Sequence, residues 1–102
     1  MTKGYWIARV DVYDTEAYKK YVEHNGAAFK KFGGRFLVRG GAVELKEGTA
    51  RSRNVVIEFP TYQAALDCFN SPEYQHALSF RRGVVSSADL IIIEGYSGPQ
   101  PG

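Results

Sequence analysis

The stretch Gly33-Gly34-Arg35-Phe36-Leu37-Val38-Arg39-Gly40-Gly41 decides how the rest of the chain is read. A glycine pair ends a helix where the backbone turns left-handed, a conformation costly for any residue with a Cβ. A second pair releases the chain into a turn. The five residues between them alternate, with Phe36 and Val38 to one side of a strand and Arg35, Leu37 and Arg39 to the other. One side suits a core. The other carries two guanidinium groups that need carboxylates, water or an anionic ligand.

Upstream of the first glycine pair, Ala17, Tyr18, Tyr21, Val22, Asn25, Ala28, Phe29 and Phe32 recur at spacings of three and four. That predicts a helix from about Thr15 to about Phe32, with Asp14 as its N-cap and Glu16 in its first turn. Asn25 interrupts the apolar stripe, and Gly26 beside it costs roughly 1 kcal/mol relative to alanine in a helix interior. Such a lapse marks either a functional site or a place where the helix sits close to a sheet. Before this helix, Tyr5 to Val12 alternates, with Trp6, Ala8, Val10 and Val12 on one face and Tyr5, Ile7, Arg9 and Asp11 on the other.

Downstream, Val43-Glu44-Leu45-Lys46 resumes an extended pattern and reads as a short ribbon beside the preceding strand. Asn54 to Phe59 is a further strand with Val55, Ile57 and Phe59 on one face. Thr61 caps a helix through about Asn70, and Ser71-Pro72-Glu73 opens another that reaches about Arg82. The last strand, Asp89 to Tyr96, is apolar on both faces at Leu90-Ile91-Ile92-Ile93, which suits a central position. Residues 97–102 read as a flexible tail, leaving a single domain over 1–96.

A net charge of +2, with no basic run longer than two residues, argues against nucleic acid as a partner. No apolar stretch approaches the roughly 20 residues of a membrane span, and the N-terminal residues show no secretory signal. A lone cysteine, Cys68, excludes an intrachain disulfide. The expected location is the cytoplasm.

Strand, long helix, strand, strand, helix pair, strand is the βαββαβ order of a ferredoxin-like α+β fold: an antiparallel sheet with its helices on one face. The opposite face collects Tyr5, Ile7, Arg9, Arg35, Leu37, Arg39, Val56 and Glu58, with Ile92 and Glu94 from the last strand. That face is too apolar to stay wet and too charged for an ordinary core. A homodimer packed sheet to sheet is the expected solution, with Arg9, Arg35 and Arg39 paired to Asp11, Glu58 and Glu94.

Four separated blocks carry a family resemblance: Gly4-Tyr5-Trp6-Ile7-Ala8-Arg9-Val10, the glycine-bounded stretch quoted above, Val56-Ile57-Glu58-Phe59-Pro60, and Ser71-Pro72-Glu73-Tyr74. In order and spacing the chain resembles the domain-of-unknown-function family 1330, within the dimeric α+β barrel superfamily. The resemblance covers Gly4 to about Gly95 and implies the ferredoxin-like fold and a dimer of facing sheets. It implies no particular activity, because the superfamily holds small-molecule monooxygenases, muconolactone isomerase-like enzymes, haem-containing chlorite dismutase-like proteins and plain ligand-binding modules.

The residues themselves narrow the chemistry further. His24, His76 and Cys68 show no metal-ligand spacing, so neither a metal nor another cofactor is expected. No nucleophile elbow or phosphate-binding glycine loop is present. What remains is an aromatic pocket with a few polar groups. Tyr18, His24, Asn25 and Arg35 are the candidate catalytic residues, and Trp6, Tyr21 and Arg39 the candidate ligand contacts, Trp6 as the floor and the arginines at the rim. The expectation is a small organic ligand, aromatic or carboxylate-bearing, held between the long helix and the sheet. Cofactor-independent isomerase-like or monooxygenase-like catalysis would follow from it. The alternative is a non-catalytic module whose activity is dimerisation or partner binding.

Overall fold

A computed structural model describes residues 2–102 of the chain. Its elements are β1 (Gly4–Val12), α1 (Thr15–Phe32), β2 (Arg35–Arg39), β3 (Arg53–Phe59), α2 (Tyr62–Asn70), α3 (Pro72–Leu78) and β4 (Ser86–Glu94). The four strands form one antiparallel sheet in the order β2-β3-β1-β4, and the fold is ferredoxin-like α+β. The molecule measures 45 × 35 × 18 Å, and the shortest of these is the depth of one sheet and one layer of helices.

Local chemistry sets the boundaries. The Asp14 side chain accepts from the Ala17 N–H at 3.0 Å and starts α1. Gly33, at φ 76°, ends it in the left-handed conformation, while the Gly34 N–H returns to the Phe29 carbonyl at 2.8 Å. Thr61 caps α2 and Ser71 caps α3 in the same way. At the start of β1 a Cβ on Gly4 would come within 2.6 Å of the Tyr62 Cα, so glycine there lets α2 lie directly on the sheet.

The core fills the space between sheet and helices. Trp6 is its hub: the ring meets Phe29 and Tyr74 edge to face at 5.3 and 4.7 Å, and its indole N–H donates to the Ala65 carbonyl at 2.9 Å. Phe59, Cys68 and Ala77 complete it, all without exposed surface.

Four expectations change here. First, residues 43–46 form no ribbon. After the Gly40 N–H bonds to the Asn54 carbonyl the chain leaves the sheet, and Val43 and Leu45 stay more than half exposed. Second, β4 lies at an edge of the sheet. Its double-sided apolar run arises because Leu90 and Ile92 face the helices beside Ala8 and Trp6, while Ile91 and Ile93 face out beside Ile7 and Tyr5. Ile92 therefore belongs to the core side, contrary to the expected pattern. Third, β2 slips at Leu37, where a bulge puts Val38 opposite Val56 and Arg39 opposite Val55. Val38 is thereby turned outward and Arg39 inward. Fourth, Gly26 faces open space, with nothing within 4 Å of a Cβ placed on it, so close packing of the helix does not account for it.

The outward face of the sheet carries Ile7, Leu37, Val38, Ile91 and Ile93, all exposed. Its charges neutralise one another. Arg35 reaches Glu58 at 3.7 Å, Lys3 reaches the same carboxylate at 3.2 Å, and Arg9 meets Asp89 at 3.4 Å. Arg51 bridges Asp89 and Asp11 at 2.8 and 3.0 Å. Only the Arg35–Glu58 pair follows the expected partnering. Glu94 pairs across to Gly4, so like Ile92 it lies on the helix side rather than this face, and its carboxylate accepts from the Thr2 hydroxyl.

A candidate anion pocket under the long helix

The inner face of α1 presents Tyr18, Tyr21 and Asn25 one helical step after another, and all three are buried. Opposite them lie Ala8 and Val10 of β1, Val55 of β3 and Ala88 of β4. Between the two layers is a cavity of about 30 Å³, room for about two water molecules. Its walls are aromatic and aliphatic apart from Asn25 and the arginines.

Three arginines line it as well. Arg53 shares the side of β3 that Val55 and Ile57 occupy, so strand alternation points a guanidinium at the core. Its Nε is fully buried and has no hydrogen-bond partner among the described residues. Arg39, turned inward by the bulge, lies 4.1 Å over the Phe36 ring and forms the lip. Arg81, in the turn after α3, donates to the Tyr74 hydroxyl at 3.2 Å and sits 5.2 Å over the Tyr21 ring. The Tyr74 hydroxyl in turn bonds that of Tyr21 at 3.0 Å. No Asp, Glu or His lines the cavity among the described residues.

The electrostatics follow from that composition. Burial pushes the Tyr18 phenol above its ordinary value, with Tyr21 adding to the shift and Arg53 and Arg81 opposing it. Burial pushes Tyr21 up as well, with Tyr74 adding and Arg81 opposing. Burial works against the charge of Arg81, but Tyr74 and Tyr21 outweigh it and hold the guanidinium above its usual value. Near neutrality the pocket therefore holds cations and neutral phenols. It contains no group ready to accept a proton.

Of the seven residues expected at the site, four line this cavity: Tyr18, Tyr21, Asn25 and Arg39. The other three lie elsewhere. Trp6 is sealed in the core and offers no surface to a ligand. Arg35 is on the outward face with Glu58. His24 is on the exposed side of α1, stacked on Phe80 at 4.6 Å and edge to face with His76 at 5.2 Å, its Nδ1 2.7 Å from the Lys20 carbonyl. Sequence reading missed Arg53 and Arg81. Arg53 was detectable, being a charge at a core-parity position of its strand. Arg81 was not, because it read as part of a helix C-terminus that in fact ends at Leu78. Burial pushes the Cys68 thiol up to about 12, with Glu73 adding to it, so this cysteine is a packing residue. Among the described residues no three His, Cys, Asp or Glu side chains cluster to hold a metal ion, and no helix is long and apolar enough to cross a membrane.

Sheet, helices and pocket define a ferredoxin-like α+β protein with an arginine-rimmed apolar cavity beneath its long helix. The chain belongs to the family described as Domain of unknown function (DUF1330), whose profile matches residues 3–96. No curated protein sequence is similar to it. Solved structures share the fold at low identity. The RPA0582 protein of Rhodopseudomonas palustris, of unknown function, superposes with a TM-score of 0.74 at 20% identity over 95% of this chain and 85% of that one. SnoaB of Streptomyces nogalater, a cofactor-independent oxygenase, gives 0.62 at 14% over 99% and 97%. A dimeric ferredoxin-like protein of unknown function from Bacteroides fragilis gives 0.60 at 13% over 91% and 96%. At these identities the likeness is one of fold.

Proposed function

We propose that the cavity under α1 binds a small organic acid, with its carboxylate on the arginines that line it and its apolar body against Phe36, Val55 and Tyr18. One observation carries the reading. Arg39, Arg53 and Arg81 line a single pocket without any carboxylate, whereas Arg9, Arg35 and Arg51 are each ion-paired. Arg39 is exposed but Arg53 and Arg81 are half-buried. Guanidinium groups partly withdrawn from water need an anion or strong acceptors, and planar carboxylates suit their fork geometry. The lip must lift to admit anything larger than water. A cation–π contact such as that of Arg39 on Phe36 is worth about 0.5–1 kcal/mol at an exposed site, so opening is cheap.

With no base in the pocket, catalysis here acts on a substrate that ionises by itself. The arginines stabilise its negative charge, the Tyr18 hydroxyl donates a hydrogen bond to it while keeping its proton, and Asn25 positions a second oxygen. The cofactor-independent oxygenase of the same fold makes small-molecule chemistry without a cofactor a fair expectation for this site. A carrier or sensor of the same acid is the non-catalytic form of the reading.

A second copy covering the outward sheet face completes the proposal. Its support is the row of exposed isoleucine, leucine and valine side chains on that face and the dimeric neighbour of the same fold.

Thermal denaturation with benzoate and the neutral benzamide tests the binding claim. Benzoate should raise the melting temperature of the wild type and of Arg35→Gln, but not of Arg53→Gln, and benzamide should do nothing. No shift with benzoate or with an aliphatic series of acids contradicts the reading, and so does an equal shift in Arg53→Gln.

A further inference from the structure

The three pocket arginines are not one cluster, and their placement specifies the ligand more narrowly. Arg39 ends β2 and Arg53 begins β3, so both enter from one side of the cavity, and the Arg53 guanidinium also approaches Gly40 beside Arg39. Arg81 enters from the other side, where its carbonyl accepts from the Ser86 hydroxyl at 2.6 Å at the start of β4. In the sheet, β1 lies between β3 and β4: Val10 faces Arg53 on one flank and Ala88 on the other. Arg53 and Ala88 are thus two strand spacings apart, about 10 Å, and Arg81 is held to the β4 flank through Ser86. Ala8 and Val10 form an apolar floor between them.

The phenols repeat the division. Arg53 acts on Tyr18 alone and Arg81 on both phenols, lying over the Tyr21 ring at 5.2 Å, and the two rings stand 5.3 Å apart along α1. Arg53 thus has Tyr18 beside it, while Arg81 has Tyr21 and Tyr74 nearest. One carboxylate engaging the Arg53–Arg39 side would leave Arg81 without a counter-charge, bonded only to neutral tyrosine. The other two charges on the lining, Arg39 and Arg53, are positive.

We infer that the ligand is a short dicarboxylate, one acid group on Arg53 and Arg39 beside Tyr18 and the other on Arg81 beside Tyr21, with its hydrocarbon spacer lying over Ala8 and Val10. This rests on the organic-acid reading of the same pocket and narrows it from acids in general to diacids. The spacer is flat or short, because Tyr18 and Tyr21 roof a cavity that is shallow between helix and sheet. Asn25, buried beside the tyrosines on the inner face of α1, serves a substituent on the spacer.

Titration calorimetry on the intact protein at neutral pH and low salt tests this with four probes: isophthalate, its monomethyl ester, benzoate and inorganic phosphate. The ester keeps the size of isophthalate and loses one charge, so the protein itself need not be altered. Isophthalate binding at least tenfold more tightly than both its monomethyl ester and benzoate supports the inference. Equal affinities for the three overturn it while leaving the organic-acid reading intact. No binding of any carboxylate, including glutarate and succinate as aliphatic counterparts, overturns that reading and the inference with it. Phosphate binding more tightly than every dicarboxylate also overturns the inference, because it would place both charges on one group. In Arg81→Gln, isophthalate affinity should fall to the level of benzoate with benzoate unchanged. A parallel loss for both acids contradicts the two-sided arrangement.

Discussion

The two faces of this sheet treat arginine in opposite ways. On the outward face Arg9, Arg35 and Arg51 each meet a carboxylate of the same chain, and Asp89 and Glu58 are each shared by two cations. On the helix face Arg39, Arg53 and Arg81 meet aromatic rings, hydroxyls and, for the Arg53 Nε, nothing. A face whose charges cancel internally has only apolar surface left to offer, and it suits a second copy. A face whose charges are all of one sign has an unmet electrostatic demand, and it suits a ligand. Strand alternation produces both from the same short sequences, because Arg35 and Arg39 are separated by a bulge that sends them to different sides.

The largest effect that would break this comparison is on the outward face. Ile7 stands at its centre between Val56 and Ile91, and Ile7→Asp would place a carboxylate in any sheet-to-sheet contact. Native mass spectrometry and sedimentation should show the wild type as a dimer at micromolar concentration and Ile7→Asp as a folded monomer. A monomeric wild type would mean that this apolar surface is simply hydrated. Next in size is Arg53→Gln, which should weaken carboxylate binding at least tenfold, in keeping with about 1.5–3 kcal/mol for a hydrogen bond to a charged group. Its melting temperature should change little, because no ion pair is lost.

The pH dependence of stability sharpens the same contrast. On the outward face the Ser52 backbone N–H and Arg51 hold Asp11 below its ordinary value, Arg51 does the same for Asp89, and Lys3 for Glu58. Lowered carboxylates stabilise the fold above their unfolded values, 3.8 for Asp and 4.5 for Glu, and that contribution is lost as pH falls through the folded values. Melting temperature should therefore be level from neutrality down to about pH 5 and decline below it. The tyrosines of the pocket have raised values, so their contribution is present below the ordinary 10.0 and is lost as pH rises past it. Circular dichroism melts across that range check both limbs. A decline beginning near pH 6 to 7 would point to histidine instead.

The smallest effect concerns α1 itself. Gly26→Ala fills open space on an exposed helical position, and should stabilise by about 0.5–1 kcal/mol without altering ligand affinity. Chemical denaturation measures it. A loss of stability would mean that a neighbour not in contact in the monomer, such as a second copy, approaches the helix there.

Much of this was readable from residues alone, and the failures have physical causes. Caps at Asp14, Thr61 and Ser71 and the glycine at position 33 gave the element order, because each satisfies a specific backbone group. Tyr18, Tyr21 and Asn25 followed from helical periodicity, which tertiary context did not disturb. Alternation is blind to a bulge and treats Arg35 and Arg39 as equivalent, and only pairing with β3 reveals the slip at Leu37. β4 was taken as central because a strand under helices and beneath an uncovered face looks the same in sequence as one buried in a sheet interior. Trp6 was taken for a pocket floor. Its parity was right, but Phe29, Phe69 and Tyr74 close over it.

The most direct measurement follows the arginine side chains themselves. Nitrogen-15 NMR of the Nε–H groups, assigned by single Arg→Lys variants, resolves the two faces in one spectrum during a titration with isophthalate. The account predicts that the Arg53, Arg39 and Arg81 signals shift together and saturably while those of Arg9, Arg35 and Arg51 stay in place. Movement of the outward-face arginines with Arg53 unmoved would contradict it.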